Sequence, residues 1–352
     1  MPRLRLLVVA LALLSAALAV PGSVAAHGPV PHEPPTAATL TLDWRFDPLI
    51  VGGLLAAAIG WLLLVRRVAA AHAGHPVPPF RTAAFLAGLA AIAVALLSGI
   101  ERYDTTLFSV HMVQHLLLML VAAPLIALSA PITQLLRVAS PAWRRRIVGV
   151  LHSGPLSALS HPVFAWVTFT LVMWISHFSP LFDAALENPL IHDAEHVAFL
   201  AAGLLFWWPV VAADPAPRRL GYPGRALYVL LQMPPSSFLG MLITFASAPL
   251  YPHYATLGSP YGIDALADQQ TAGGIMWLAG DVVFIVAILI VVAAWMRHEE
   301  RDTNAAERRA DAQRAMIREH ADRLARSREE AGTGAAQPAE AASGSGERSS
   351  SA

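Results

Sequence analysis

Seven apolar stretches alternate with short polar segments along this chain: Pro48–Val65, Thr82–Ile100, Phe108–Leu128, Pro162–His177, Ala194–Val211, Ala226–Ala246 and Gly273–Trp295. Most approach the roughly twenty residues a helix needs to cross the ~30 Å hydrocarbon core of a bilayer. The fourth is short, and its helix is expected to begin nearer Leu156. The pattern predicts an all-α polytopic membrane protein with seven transmembrane helices over residues 48–296. A shorter apolar run, Leu6–Val20, follows Arg3 and Arg5, is broken by Pro21-Gly22 and leads to the small residues Val24-Ala25-Ala26. That layout is a signal peptide over residues 1–26, followed by a periplasmic segment over 27–47. Past Trp295 the pattern inverts. Residues 297–330 are dense in Arg, Glu, Asp and Ala and read as a charged cytoplasmic helix; residues 331–352, rich in Gly, Ala and Ser, read as a disordered tail.

Charge orients the bundle. Arginines fill alternate loops: Arg66, Arg67 and Arg81 after the first span, Arg137 and Arg144 to Arg146 after the third, Arg218, Arg219 and Arg225 after the fifth, Arg297 and Arg301 after the last. The intervening loops carry Glu101, Asp104, Asp183, Glu187, Asp264 and Asp268 instead. Positive loops stay in the cytoplasm, so the N-terminus is expected outside and the C-terminus inside. Trp143, Trp207 and Trp208 then fit an inner aromatic belt, and Tyr251 and Tyr254 an outer one. Composition agrees: 56% of residues are hydrophobic and 14% charged, with a mean hydropathy of +0.53. Membrane lipid is the expected surrounding, and no nucleic acid partner is expected. Neither cysteine nor lysine occurs. Disulfides, thiolate metal sites and thiol nucleophiles are excluded, and so is a retinal Schiff base.

Histidine carries the chemistry that remains. His111 and His115 open the third span; His192 and His196 open the fifth. At a spacing of four, each pair shares one helix face, and both spans run from outside to inside, so all four imidazoles fall at one depth. Neutral imidazole is a common metal ligand, and two such pairs make a candidate four-nitrogen site. Met112, Met241 and Met276 are the available soft donors, although each is more simply read as packing. A His/Met set suits copper better than magnesium or calcium, and zinc stays open. His177 and His253 lie on the same side, and His27 and His32 are a weaker chelating possibility. Asp281, deep in the seventh span, is read as a ligand, a proton relay or an acid bonded to a neighbouring helix. Met233-Pro234-Pro235 is expected to kink the sixth span, and Pro124 the third.

These residues resemble a known family, the CtaG-like assembly factors of cytochrome c oxidase. The resemblance rests on His111-Met-Val-Gln-His115 running to Pro124 and Pro131, on His192 to Glu195-His196 leading into Phe206-Trp207-Trp208-Pro209, and on Asp268-Gln269-Gln270 through Gly273-Gly274-Ile275-Met276-Trp277. It covers roughly residues 47–295. It implies a factor of the bacterial inner (plasma) membrane for building a copper-containing oxidase, with oxidase subunits as partners. On that reading copper binds transiently to His111, His115, His192 and His196 and is delivered at the outer face, and the protein is not an enzyme. The alternative from another class is a membrane-embedded zinc-dependent hydrolase using His pairs with an acid to activate water. A haem protein or a transporter fits the pattern less well.

Overall fold

The structure, a computed structural model, describes residues 31–334. The expected signal segment 1–26, His27 and the end of the tail from 335 lie outside the described residues. Among the described residues every regular element is helical, with no strand. Six helices are long and apolar enough to cross a membrane, and there are seven if one bent pair counts as a single span.

The first span, α1 (Pro48–Ala71), begins where Asp47 accepts the Leu49 and Ile50 N–H groups and Pro48 opens the first turn. It runs past the expected Val65 to include Arg66 and Arg67. The second, α2 (Pro79–Leu97), stops at Ser98, whose extended backbone breaks the helix and whose hydroxyl caps a short helix, Gly99–Tyr103. Gly99 is required there: a Cβ would collide with the Thr39 carbonyl of the N-terminal helix Ala37–Leu42. This break turns Glu101 and Asp104 into the bundle instead of leaving them in a solvated loop.

The third span, α3, is α-helical over Phe108–Leu116, widens to a π-helix over Leu117–Ala122 and returns to α over Ala123–Ser129. Pro124 supplies the reason: it has no N–H for the Leu120 carbonyl, and the Ala123 N–H reaches five residues back to Leu118.

The fourth span differs from expectation. It does not begin near Leu156; Gly154–Leu159 is a separate short helix, and α4 covers only Pro162–His177. A 68° bend then leads into a short helix, Leu181–Glu187. The remaining spans are α5 (Pro189–Val211), α6 (Tyr222–Thr244) and α7 (Ala265–Gly334). α6 continues through Pro234 and Pro235, and Trp174 of α4 donates to the Pro235 carbonyl at 3.3 Å.

The chain divides into two compact units at Val292. The first holds the whole apolar core, in which α5 packs on α3 and α4. Close contact of α5 with α3 depends on Gly203, whose added Cβ would lie 3.0 Å from the Met119 carbonyl and from the Ala123 Cβ. Trp207, one turn further along α5, donates to the same Met119 carbonyl at 2.9 Å and is buried. Trp207 is therefore a core residue and not part of an aromatic belt. The second unit is helical to Gly334, with ion pairs such as Arg323–Glu319 along its surface.

Candidate metal centre

The helical spacing does what the sequence predicts. His111 and His115 sit one turn apart on α3 with ring centroids 4.2 Å apart, and His192 and His196 do the same on α5 at 4.2 Å. The two helices face each other, so His111 stacks against His192 at 5.4 Å and His115 meets His196 at 5.9 Å. All four rings are 5% exposed or less. They form one buried cluster.

Three carboxylates join it. Glu195, three residues after His192, turns its Oε2 to within 3.9 Å of both His111 Nε2 and His115 Nε2. Asp104 places Oδ2 3.6 Å from His192 Nε2. Glu101 approaches from the helix after the Ser98 break. The donor atoms fall into three groups, each within 4.8 Å: His111, His115 and Glu195; Asp104, His111 and His192; Glu101, Asp104 and His196. Metal ligands to a common ion need about this proximity.

Several of these atoms lack an ordinary partner. Both ring nitrogens of His115, one oxygen of Glu195 and Asp104 Oδ2 are buried without a hydrogen bond. Buried polar atoms are almost always bonded, and exceptions concentrate at ligand sites. Burial pushes the Asp104 carboxyl up to about 8 even though the Thr105 N–H donates to its other oxygen at 2.5 Å.

Gln114, on the α3 face between the paired histidines, is fully buried and organises one side of the cluster. Its amide donates to the Ala95 carbonyl at 3.0 Å and to Glu101 at 2.6 Å, while its oxygen lies 3.0 Å from His196 Nε2. As an acceptor it holds the His196 proton on Nε2 and fixes the orientation of that ring.

An aromatic roof closes the pocket. Phe182, on the short helix beyond the α4 bend, packs edge-on to His111 at 5.1 Å, and Phe108, Tyr251 and Tyr254 pack around it. Tyr251 and Tyr254 are thus buried roof residues, not an interfacial belt. Tyr254 donates to the Asp104 carbonyl at 2.6 Å, and burial raises its hydroxyl well above the ordinary value.

Other candidates fall outside the cluster or support it. His177 lies nearby, but its Nδ1 donates to the Met173 carbonyl at 2.7 Å and its Nε2 lies 3.4 Å from the Met112 sulfur. His253 bonds the Thr105 carbonyl at 2.9 Å, and Asp183 accepts its backbone N–H. Asp281 pairs with the Ser237 hydroxyl at 2.9 Å, the reading in which the deep acid bonds a neighbouring helix. Asp268 accepts the backbone N–H and hydroxyl of Ser109 and ties α7 to the start of α3. Gln269 accepts the Leu250 N–H at 2.6 Å. Met276 is core, and Trp277 packs against Gly240.

A family model for the cytochrome c oxidase caa3 assembly factor matches residues 59–298, a stretch that contains every residue of this cluster. The chain belongs to that family. It is also similar to mycobacterial proteins that are themselves named only as uncharacterized. Those of Mycobacterium bovis and Mycobacterium tuberculosis are 34% identical over 304 residues, and that of Mycobacterium leprae is 32% identical. Each alignment covers 82% of this chain and 46% of the relative. The chain spans about half the length of the curated relatives it matches. No solved structure matches it.

Proposed function

We propose that this protein helps to assemble a copper-containing cytochrome c oxidase by binding copper at His111, His115, His192 and His196 and passing it to an oxidase subunit. The observation that carries the reading is His115: both ring nitrogens are buried, neither is hydrogen-bonded, and Glu195 and the His111 and His196 rings lie against them. Nitrogen and carboxylate donors without a thiolate cage allow an ion to leave by ligand exchange. The arginine-rich loops orient the histidine end toward the outer face of a bacterial plasma membrane, where a client subunit would collect the ion.

The test is equilibrium copper binding to the purified full chain in detergent, beside a variant with all four histidines changed to alanine. Binding is expected in the wild type and lost in the variant, and oxidase copper content in producing cells should fall with it. Equal binding by both proteins would overturn the proposal.

One observation favours the zinc hydrolase as a second reading: Glu195 stands among the imidazoles where a general base would stand. Against it, the cluster is closed to substrate by its aromatic roof. A hydrolase would show zinc-dependent turnover abolished by Glu195→Gln.

A further inference from the structure

The cluster has more donors than one ion can use. Four imidazoles and three carboxylates converge, whereas copper and zinc sites built from such ligands typically take four to six. Two of the three donor groups share no residue: His111, His115 and Glu195 form one, and Glu101, Asp104 and His196 form the other. They can therefore be filled at the same time. Each also contains a carboxylate oxygen that is buried and without a hydrogen bond, Glu195 Oε2 in the first and Asp104 Oδ2 in the second. Those residues are only 8% and 0% exposed.

We propose that the pocket is a two-ion site, with one ion held by His111, His115 and Glu195 and a second by Asp104, Glu101 and His196, with His192 beside Asp104 as a further ligand. This rests on the reading that the pocket binds metal.

The donor atoms of each half lie within 4.8 Å of one another. Tetrahedral ligands at about 2.1 Å from an ion lie about 3.4 Å apart. The 3.9 Å separations of Glu195 from His111 and His115, and the 3.6 Å separation of Asp104 from His192, need to close by only a few tenths of an ångström. His111 of the first half and His192 of the second stack with centroids 5.4 Å apart. Gln114 lies behind the second half, bonded to both Glu101 and His196, so it would orient those ligands without occupying a coordination position. A carboxylate in each half also shifts preference from Cu(I), which favours softer donors, toward Cu(II) and zinc.

The test uses Cu(II) alone as the probe on the full chain in detergent. Bound copper per chain is measured after equilibrium dialysis, and electron paramagnetic resonance is recorded at saturation. Wild type is expected to take two ions and show dipolar coupling between them. Glu195→Gln and Asp104→Asn, both nearly isosteric, should each take one ion and give an uncoupled signal. The double variant should lose tight binding, by a hundredfold or more.

Saturation of wild type at one ion that the four-histidine variant loses would overturn the two-ion proposal and leave the copper reading standing. Absence of binding by wild type would remove both. Two ions retained by both single variants would also overturn the assignment. Thermal melting of the metal-free variants separates ligand loss from misfolding; where a variant melts early, Glu195→Asp and Asp104→Glu, which keep the charge, should restore the second ion.

Discussion

His115→Phe should make the metal-free protein more stable while destroying its metal binding. His115 is 3% exposed, stacked on Phe199 at 4.1 Å and edge-on to His111 at 4.2 Å, so a phenyl ring can keep the same contacts. Neither of its ring nitrogens is hydrogen-bonded. A buried polar atom left unsatisfied costs about 1–3 kcal/mol, or about 2–6 kcal/mol for both nitrogens, and the slightly larger phenyl ring takes back about 1–3 kcal/mol as overpacking. The net expectation is a gain of about 2 kcal/mol in the metal-free state, the difference between the midpoints of those ranges. Unfolding by denaturing detergent in the presence of a chelator measures it, and Cu(II) titration of the same preparation should show affinity reduced at least a hundredfold. His177→Phe is the control. That ring donates to the Met173 carbonyl at 2.7 Å, so its loss removes a buried hydrogen bond and should destabilise. If metal-free His115→Phe proves less stable than wild type by more than about 1 kcal/mol, its nitrogens have partners after all and the reasoning fails.

Gly203→Val should force α5 away from the Met119 carbonyl, where even a Cβ would sit at 3.0 Å, and cost about 1–3 kcal/mol with weaker copper binding; wild-type melting and affinity would refute it. Asp214 accepts the Ile132 and Thr133 N–H groups at 3.2 and 2.6 Å, and burial raises its carboxyl above the usual value of 3.8. The folded chain holds that proton more tightly than the unfolded one, so the contribution is full below the unfolded value and is lost as pH rises through the folded one. Wild-type melting should therefore fall relative to Asp214→Asn between acidic and neutral pH, and parallel curves would count against it. Tyr254→Phe leaves the buried Asp104 carbonyl without its 2.6 Å donor and should lower stability by about 1–2 kcal/mol in thermal melts; an unchanged melt sinks that role for the hydroxyl. The chain has no cysteine, so Ser259→Cys and Arg145→Cys report topology directly. A membrane-impermeant maleimide on intact cells should label the first and spare the second, and the reverse pattern would invert the bundle.

Most of the helical layout was legible because hydrophobic length alone selects it. What the pattern missed were the interruptions. Ser98 ends α2 early because its extended backbone and the tight fit of Gly99 under the Thr39 carbonyl outweigh a continuous apolar run. The fourth span ends at His177 as the pattern has it, but a 68° bend follows, since Ser179-Pro180 cannot continue the helix. Hydropathy averages over such breaks. Pro124 did announce a disturbance in α3, but its form, a π-turn whose Met119 carbonyl is taken by Trp207, depends on a second helix that no local window contains.

The site divides along the same line. The convergence of the four histidines follows from a spacing of four on two helices that enter the bundle at the same end. Glu195 was equally legible in principle: three residues after His192, it shares that helix face, so a carboxylate among the imidazoles could have been read from the sequence. Asp104 and Glu101 could not. In a linear reading they are acids between two spans, and loop acids are normally solvated. Only the turn at Ser98, the N-terminal helix lying over Gly99 and the Tyr254 hydroxyl on the Asp104 backbone bring them inside. Two carboxylates placed in a buried pocket by contacts this distant in sequence are costly to keep there. The four histidines alone would fit a single four-nitrogen ion. Asp104 and Glu101, carried in by the fold, give the pocket a second set of donors with its own carboxylate oxygen to satisfy.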